Sequence, residues 1–217
     1  MPLPKTSASV SMGRCKIISV AGGTASGKTT LARDIYRMGG AERVQVIPLD
    51  SYYRPQAELP LEKRALQNYD HPDAFDCELL RAHLDSLLQG VGVDIPVYDF
   101  SQHTRSASAS HHISPTDVVI VEGILALHFP HLREVYSYSI FVDAPDQLRF
   151  DRRLHRDIRE RGRTEACVTR QWNETVHPMH VDFCAPTLKL ASEVVSGEAW
   201  DDNTIEALWK RILAAIA

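Results

Sequence analysis

This 217-residue sequence lacks the features that would point to a secreted, zinc-binding or membrane protein. Its four cysteines include no Cys-x-x-Cys pair and have no histidine at zinc-ligand spacing, so neither a disulfide framework nor a zinc site is expected. No stretch reaches the roughly 18 apolar residues of a membrane span. The cysteine usage therefore predicts a protein of the reducing cytoplasm, and the lack of a long apolar stretch predicts no membrane partner.

The sequence also lacks an excess of positive charge. Its formal net charge is -4, whereas a protein that binds nucleic acid through the phosphates normally carries a basic excess. A nucleic-acid partner is therefore not expected. With 44% hydrophobic residues, the chain can build a substantial core, and its length suits one domain. Residues 1–14 are predicted to be a flexible tail, and residues 15–217 a single domain.

A glycine-rich motif follows the first predicted strand. Its residues match the pattern G-x-x-x-x-G-K-[ST]: Gly22, Gly23, Thr24, Ala25, Ser26, Gly27, Lys28 and Thr29. Small residues let backbone N–H groups approach phosphate oxygens closely, and the positive end of the following helix adds attraction. Lys28 is expected to contact the outer phosphates, and the Thr29 hydroxyl to bind Mg²⁺. The motif, with Thr30 beside it, predicts a nucleoside triphosphate site.

Predicted strands and helices alternate along the chain. Strands are expected at residues 16–20, 44–49, 118–121, 139–142 and 194–195, with helices between them. The alternation predicts an α/β fold of the P-loop NTPase type, a three-layer sandwich in which a mostly parallel five-stranded sheet has helices on both faces. A β-hairpin at about residues 92–114, with its tip at Ser106–Ser110, and an arginine-rich lid at about residues 152–170 complete the prediction.

Two carboxylates follow predicted strands. Glu122 ends an apolar strand and suits a magnesium site beside the glycine-rich loop. Asp50 ends a strand that is expected to lie next to the strand before the loop, so it could join the metal site with Thr29 or remove a proton from an attacking hydroxyl. The alternative is an aspartate that merely opens the turn Asp50-Ser51. An Asn-Lys-x-Asp guanine-reading motif is absent, which disfavours a GTPase.

Seven arginines lie between positions 149 and 163. Helical spacing brings four of them near one face, and a turn follows at Arg161-Gly162-Arg163. The four are Arg149, Arg152, Arg153 and Arg156. One interpretation is a solvated face neutralised by Asp151, Asp157 and Glu160. The other is a mobile lid whose guanidinium groups stabilise a phosphoryl group in transfer, with Arg153 and Arg156 as catalytic residues. The pattern alone leaves both open.

Further motifs occur in a fixed order along the chain. They are Leu49-Asp50-Ser51-Tyr52-Tyr53-Arg54, Tyr69-Asp70-His71-Pro72-Asp73-Ala74-Phe75-Asp76, Pro96-Val97-Tyr98-Asp99-Phe100, His103-Thr104-Arg105, Val121-Glu122-Gly123-Ile124-Leu125 and Arg152-Arg153-Leu154-His155-Arg156-Asp157-Ile158-Arg159-Glu160-Arg161-Gly162-Arg163. Together with the glycine-rich loop, they resemble the uridine kinase (uridine-cytidine kinase) family from about residue 16 to residue 195. The segment Ala191 to Gly197 departs from the family pattern of Ala-Asp, three apolar residues, Pro, a basic residue and Gly.

The resemblance implies a role for each matched position. Asp50 would be the base for the ribose 5'-hydroxyl, and Asp70 would hold the 2'- and 3'-hydroxyls. Tyr98 and His103 would contact the pyrimidine, and Tyr69 and Phe100 would form the wall of the pocket. The residues that would hold phosphates or nucleoside as the lid closes are Arg153, Arg161, Arg163 and Gln171. The pocket would thus hold a small-molecule nucleoside beside a nucleoside triphosphate.

The implied reaction is phosphorylation of uridine or cytidine at the 5'-hydroxyl, with ATP or GTP as donor and Mg²⁺ as cofactor. The family also implies a homotetramer. One alternative is a related P-loop kinase of another small alcohol, similar to phosphoribulokinase or pantothenate kinase. Another is a non-catalytic, nucleotide-binding switch that signals through a partner, against which the presence of Asp50 and the arginine lid weighs.

Overall fold

The computed structural model describes residues 15–217, so the predicted tail lies outside the described residues. Seven strands are present in this part: β1 Lys16–Ala21, β2 Val44–Pro48, β3 Val93–Asp99, β4 Thr104–Ile113, β5 Val118–Gly123, β6 Tyr136–Asp143 and β7 Glu193–Ser196. Five of them form one sheet in the order β2-β5-β1-β6-β7, and all its neighbouring pairs are parallel. The predicted parallel sheet is confirmed.

Eight α-helical segments accompany the strands in the described part of the chain. They are α1 Lys28–Gly39, α2 Leu61–Ala65, α3 Cys77–Leu88, α4 Pro130–Arg133, α5 Asp146–Arg161, α6 Glu165–Gln171, α7 His177–Met179 and α8 Asp202–Ile216. Wider, π-helical turns at Trp172–Val176 and His180–Cys184 join α6 and α7 to the chain that follows. None of the described helices has both the length and the apolar character of a membrane span.

Helix ends follow local chemistry. The Asp76 carboxylate accepts a hydrogen bond from the N–H of Leu79 at the start of α3, and Asp201 does the same for Thr204 in α8. Helix α5 ends at Gly162, whose left-handed backbone (φ 62°) is easily adopted by glycine. These capping residues set where the helices begin and end relative to the sheet.

Two apolar cores cover the two faces of the parallel sheet. Ile17 of β1 belongs to the core that includes α3, whereas Ile18 and Val20 belong to the core that includes α1 and α8. Successive side chains of a strand point to opposite faces, so one continuous apolar strand supplies both layers. The predicted three-layer sandwich, with helices on both faces, is confirmed.

The prediction that β2 lies next to β1 was wrong. β2, which precedes Asp50, pairs with β5 and not with β1, whose neighbours are β5 and β6. Consecutive strands are adjacent only about two-thirds of the time. Here the β1-α1-β2 crossover leaves a gap of one strand between β1 and β2, and β5, which carries Glu122, occupies that position.

The predicted hairpin is present, but its tip lies elsewhere. β3 and β4 are antiparallel, and the turn occupies residues 100–103 rather than Ser106–Ser110. The Asp99 carboxylate accepts hydrogen bonds from the N–H groups of Ser101 and Gln102, which stabilises this turn. The Ser/Ala stretch instead lies within β4, where the register shifts and the Ser106 hydroxyl accepts bonds from residues 108 and 109.

A core substitution tests this packing. Leu84 of α3 is fully buried, and replacing it by alanine should lower the free energy of unfolding by about 2–5 kcal/mol. Leu66→Ala is the matched control, because Leu66 is 84% exposed and the change should stay within about 0.5 kcal/mol. Urea unfolding followed by circular dichroism measures both. Equal losses for the two variants would contradict the assignment of the core.

Candidate active site

The glycine-rich loop connects β1 to α1. Gly22 and Gly27 have positive φ angles of 147° and 102°. A Cβ atom on Gly22 would lie 2.5 Å from the Val142 carbonyl oxygen, and one on Gly27 would lie 2.8 Å from the Trp200 ring. Both the backbone conformation and the lack of space therefore require glycine at these positions. The loop is held in one shape directly before the N-terminus of α1.

A cleft of about 1010 Å³ opens above this loop. Eighteen of the residues predicted for the site line it: Thr24, Ala25, Gly27, Lys28, Thr29, Thr30, Asp50, Tyr69, Asp70, Tyr98, Phe100, His103, Glu122, Arg153, Arg156, Arg161, Arg163 and Gln171. Gly22, Gly23 and Ser26 do not line it. They form the back of the loop, where Gly23 lies against the buried Arg149 side chain.

Two carboxylates lie beside the loop at the carboxyl end of the sheet. Asp50 sits in the 3₁₀ turn that follows β2, and Glu122 lies in β5. The Thr29 hydroxyl donates a hydrogen bond of 3.1 Å to Glu122. Burial raises the pKa of Glu122, the positive charge of Lys28 opposes this, and the negative charge of Asp50 adds to it. The two acids therefore repel one another across a shared space.

This donor set fits a magnesium ion. Mg²⁺ is held by one or two carboxylates together with substrate phosphates, and does not need a closed protein cage. Within residues 15–217, no group of three or more His, Cys, Asp or Glu side chains is arranged to hold a metal alone. Thr29, Asp50 and Glu122 offer one hydroxyl and two carboxylates next to the phosphate loop. A cation there would offset the burial and the repulsion by Asp50, both of which raise the pKa of Glu122.

Aromatic side chains form the other end of the cleft. The rings of Tyr69 and His103 are stacked, with centroids 5.8 Å apart, and the edge of Tyr69 meets Tyr53 at 5.1 Å. Tyr98 lies against both Tyr53 and Phe100. Burial, with the positive charges of Arg163 and Arg64, lowers the pKa of His103, so its ring is neutral near pH 7. The result is a flat, mostly apolar pocket with polar edges.

Asp70 is an acidic residue that lines the cleft together with these aromatic side chains. Burial raises its pKa, the positive charge of Arg153 lowers it, and the negative charge of Asp50 raises it further. Arg153 donates to the Thr24 hydroxyl at 2.9 Å and to Gln171 at 2.8 Å. One arginine thus connects the phosphate loop, the acid and helix α6. Electrostatic interactions therefore link the two ends of the cleft.

Fourteen of the residues that line the cleft were not among the predicted site residues, and the contacts of three of them are informative. Tyr53 stands within a quoted motif but was given no role, although it contacts Tyr69 and Tyr98. Arg152 and Trp200 also line the cleft. Arg152 donates to the carbonyl oxygens of residues 197 and 198, and Trp200 donates to Asp34. The quoted motifs contain Tyr53 and Arg152 and offered a signal for both, whereas the position of Trp200 depends on contacts between distant segments.

The fold and the site together define a P-loop kinase, an enzyme that transfers a phosphoryl group to an alcohol. A sequence model described as "Phosphoribulokinase / Uridine kinase family" matches residues 17–200. The chain belongs to this family.

Similar proteins span nearly the whole chain. A protein named uridine kinase from Deinococcus deserti is 46% identical over 200 residues, covering 92% of this chain and 96% of that protein. A uridine kinase from Lactobacillus helveticus is 41% identical, covering 92% and 95%. The solved phosphoribulokinase from Rhodobacter spheroides has a TM-score of 0.61 at 18% identity, covering 86% of this chain and 73% of that one. That distant likeness supports the fold alone.

The protonation of Glu122 makes a testable difference to stability. Because its pKa in the folded protein lies above the ordinary value of 4.5, the protonated acid stabilises the fold. That contribution is fully present below pH 4.5 and is lost as the pH rises through the folded pKa. We therefore expect Glu122→Gln, in EDTA, to be more stable than the wild type at pH 8, with the advantage shrinking towards pH 4.5. Urea unfolding at several pH values measures this, and a pH-independent difference would contradict it.

Proposed function

We propose that this protein transfers the γ-phosphoryl group of ATP to the 5'-hydroxyl of uridine or cytidine, yielding the nucleoside 5'-monophosphate and ADP. One observation carries the proposal: a phosphate loop and a flat aromatic pocket with its own carboxylate share a single cleft, with Asp50 lining it too. The relatives that are named uridine kinase, at 41–46% identity, support the choice of acceptor.

The donor end is formed by residues 22–30. Lys28 would contact the outer phosphates as a point charge, and the α1 N-terminus would add its dipole. Thr29, Asp50 and Glu122 would hold Mg²⁺, which when bound neutralises charge on the phosphate oxygens. Arg161 and Arg163 line the same cleft and would contact the phosphates from the opposite side. Lys28, the helix N-terminus, the metal ion and the two arginines would each stabilise negative charge that the donor brings, whereas the two carboxylates would act only by holding the metal.

Transfer requires a base near the acceptor. The oxygen of the 5'-hydroxyl attacks the γ-phosphorus, the bond from that phosphorus to the β,γ-bridging oxygen breaks, and ADP leaves. Asp50 would accept the hydroxyl proton as the new bond forms. Arg153 and Arg156 would stabilise the charge that gathers on the equatorial oxygens of the phosphoryl group. All three side chains line the same cleft as the loop and the aromatic residues.

The acceptor pocket suits a pyrimidine ribonucleoside. Asp70 would accept hydrogen bonds from the 2'- and 3'-hydroxyls, and the neutral ring of His103 would contact the base with Tyr98. Tyr69 and Phe100 would form walls, and Gln171 would hold the nucleoside with Arg153. A flat base fills such an aromatic slot better than a sugar phosphate would, because the aromatic walls offer no charge to a second phosphate.

Three further expectations belong to this proposal. The family resemblance implies that GTP can replace ATP as donor. The arginines at about residues 152–170 would act as a lid over the bound substrates. The family resemblance implies a tetramer, and the cysteine usage a cytoplasmic location.

Replacing the base tests the mechanism. Asp50→Asn should reduce kcat by roughly 10²–10⁴-fold, since general base catalysis typically contributes that factor, while binding of metal-free ATP in EDTA persists. Asp73→Asn is the control, because the Asp73 side chain is 93% exposed. Steady-state assays give kcat, and calorimetry gives ATP affinity. If Asp50→Asn turns over at the wild-type rate, the assignment of the base is wrong.

Comparison of uridine with 2'-deoxyuridine tests the role of Asp70. Loss of one hydroxyl leaves part of a buried acceptor unpaired, which costs about 1–3 kcal/mol, or roughly 5- to 150-fold in kcat/KM. In Asp70→Asn the preference for the ribonucleoside should shrink. Equal kcat/KM values for the two nucleosides in the wild type would rule out this contact.

A further inference from the structure

Asp157 lies at the centre of the arginine cluster. Its side chain is fully buried on α5, and four guanidinium groups reach it. The nitrogen–oxygen distances are 2.8 Å from Arg156, 3.1 Å from Arg163, and 3.6 Å from both Arg153 and Arg161. From the sequence, Asp157 was one neutralising neighbour among three. Its burial sets it apart from the exposed Asp151 on the same helix.

The contacts of Asp157 determine where the arginines point. One carboxylate oxygen accepts two hydrogen bonds from Arg156, and the other accepts one from Arg163. The backbone carbonyl of Asp157 also accepts the N–H groups of Gly162 and Arg163, which closes the turn after α5. Asp157 thus holds arginine side chains through its carboxylate, and through its backbone carbonyl it holds the turn that carries Arg161 and Arg163.

A chain of hydrogen bonds extends from this cluster to the phosphate loop. Arg163 donates to Gln171 at 2.7 Å, Gln171 also accepts from Arg153, and Arg153 donates to Thr24 of the loop. Four positive charges therefore surround one carboxylate and face a cleft lined by the donor site. The positive excess is available to an anionic ligand, while Asp157 limits how far each guanidinium can move towards it.

We propose that Asp157 is a positioning residue that holds Arg156, Arg161 and Arg163 in the orientation required by the phosphoryl group in transfer. This rests on the proposed kinase function. Because Asp157 holds part of their charge, these arginines would contact the phosphates of bound ATP only weakly. Their interaction with the phosphoryl group then strengthens as charge develops during transfer, and only such differential binding raises kcat.

The arginines around Asp157 also determine its ionisation state. Although burial acts in the opposite direction, the positive charges of Arg156 and Arg153 and the hydrogen bonds from Arg156 lower its pKa, so the carboxylate is ionised at neutral pH. Asparagine has nearly the same shape but no charge, and it presents an N–H₂ donor where an acceptor is needed. Asp157→Asn therefore removes the anchor with little change of volume.

The test compares Asp157→Asn with the wild type and with Asp151→Asn, an exposed control on α5. For Asp157→Asn we expect kcat to fall by about 10²-fold, because small misplacements of catalytic groups have effects of this size. The KM for uridine should not change. The calorimetric Kd of Mg·ATP should stay the same or tighten, because a negative charge near the phosphates is lost. An unchanged kcat, or a Kd for ATP that weakens in parallel with kcat, would overturn the proposal.

A second variant covers the case in which Asp157→Asn does not fold. Arg163→Lys keeps the positive charge but loses the planar fork that reaches both Asp157 and Gln171. It should also lower kcat without raising the KM for uridine, and wild-type kcat in this variant would overturn the proposal. Where both single variants fold, the double variant should lose no more than the larger single effect, since Asp157 acts through Arg163. Additive losses would contradict this.

If the wild type leaves uridine unphosphorylated, the proposed acceptor is wrong. The same variants are then compared in acceptor-free hydrolysis of ATP, where Asp157→Asn should again be slower than the wild type and Asp151→Asn equal to it. Equal hydrolysis by all three proteins would overturn the role of Asp157.

Discussion

Parallel pairing is the constraint on which the rest of this structure depends. Because all five strands of the sheet run in the same direction, their carboxyl ends meet at one edge. β1 ends there in the glycine-rich loop, β5 carries Glu122 to the same edge, and β2 ends two residues before Asp50. Apolar packing on both faces fixes this arrangement, so the polar site is a consequence of the core.

Charge within the cleft follows from that geometry. Glu122 and Asp70 are acids whose pKa is raised by burial, and both lie near positive charge from Lys28. Asp157 is the opposite case, an acid whose pKa is lowered by the arginines around it. The cleft therefore contains buried acids, whose negative charge a cation would neutralise, and clustered arginines, whose positive charge an anion would neutralise. A magnesium–triphosphate complex supplies both the cation and the anion.

Local signals predicted much of this structure from the sequence. The glycine-rich loop and the apolar runs of β1 and β5 are short-range features, and each was placed correctly. Errors arose where distant segments decide the outcome. Strand order depends on how a crossover packs, so β5 was not expected between β1 and β2. The hairpin tip was misplaced because the Ser/Ala stretch resembles a turn, whereas the Asp99 side chain stabilises one nearby.

The site was predicted unevenly for the same reason. Residues within motifs, such as Lys28, Asp50 and Glu122, line the cleft as expected. The sequence does not reveal the role of Asp157, because Asp157 and Asp151 are both aspartates that lie close to arginines along the same helix. Only burial and four converging guanidinium groups distinguish Asp157 from Asp151.

The central claim is that this P-loop kinase acts on a pyrimidine ribonucleoside. The most direct measurement is a steady-state assay with Mg·ATP and a panel of acceptors: uridine, cytidine, ribulose 5-phosphate, pantothenate and glycerate. We expect ADP formation and a 5'-monophosphate product with uridine or cytidine, and background rates with the others. Inert uridine and cytidine beside rapid phosphorylation of another alcohol would contradict the claim.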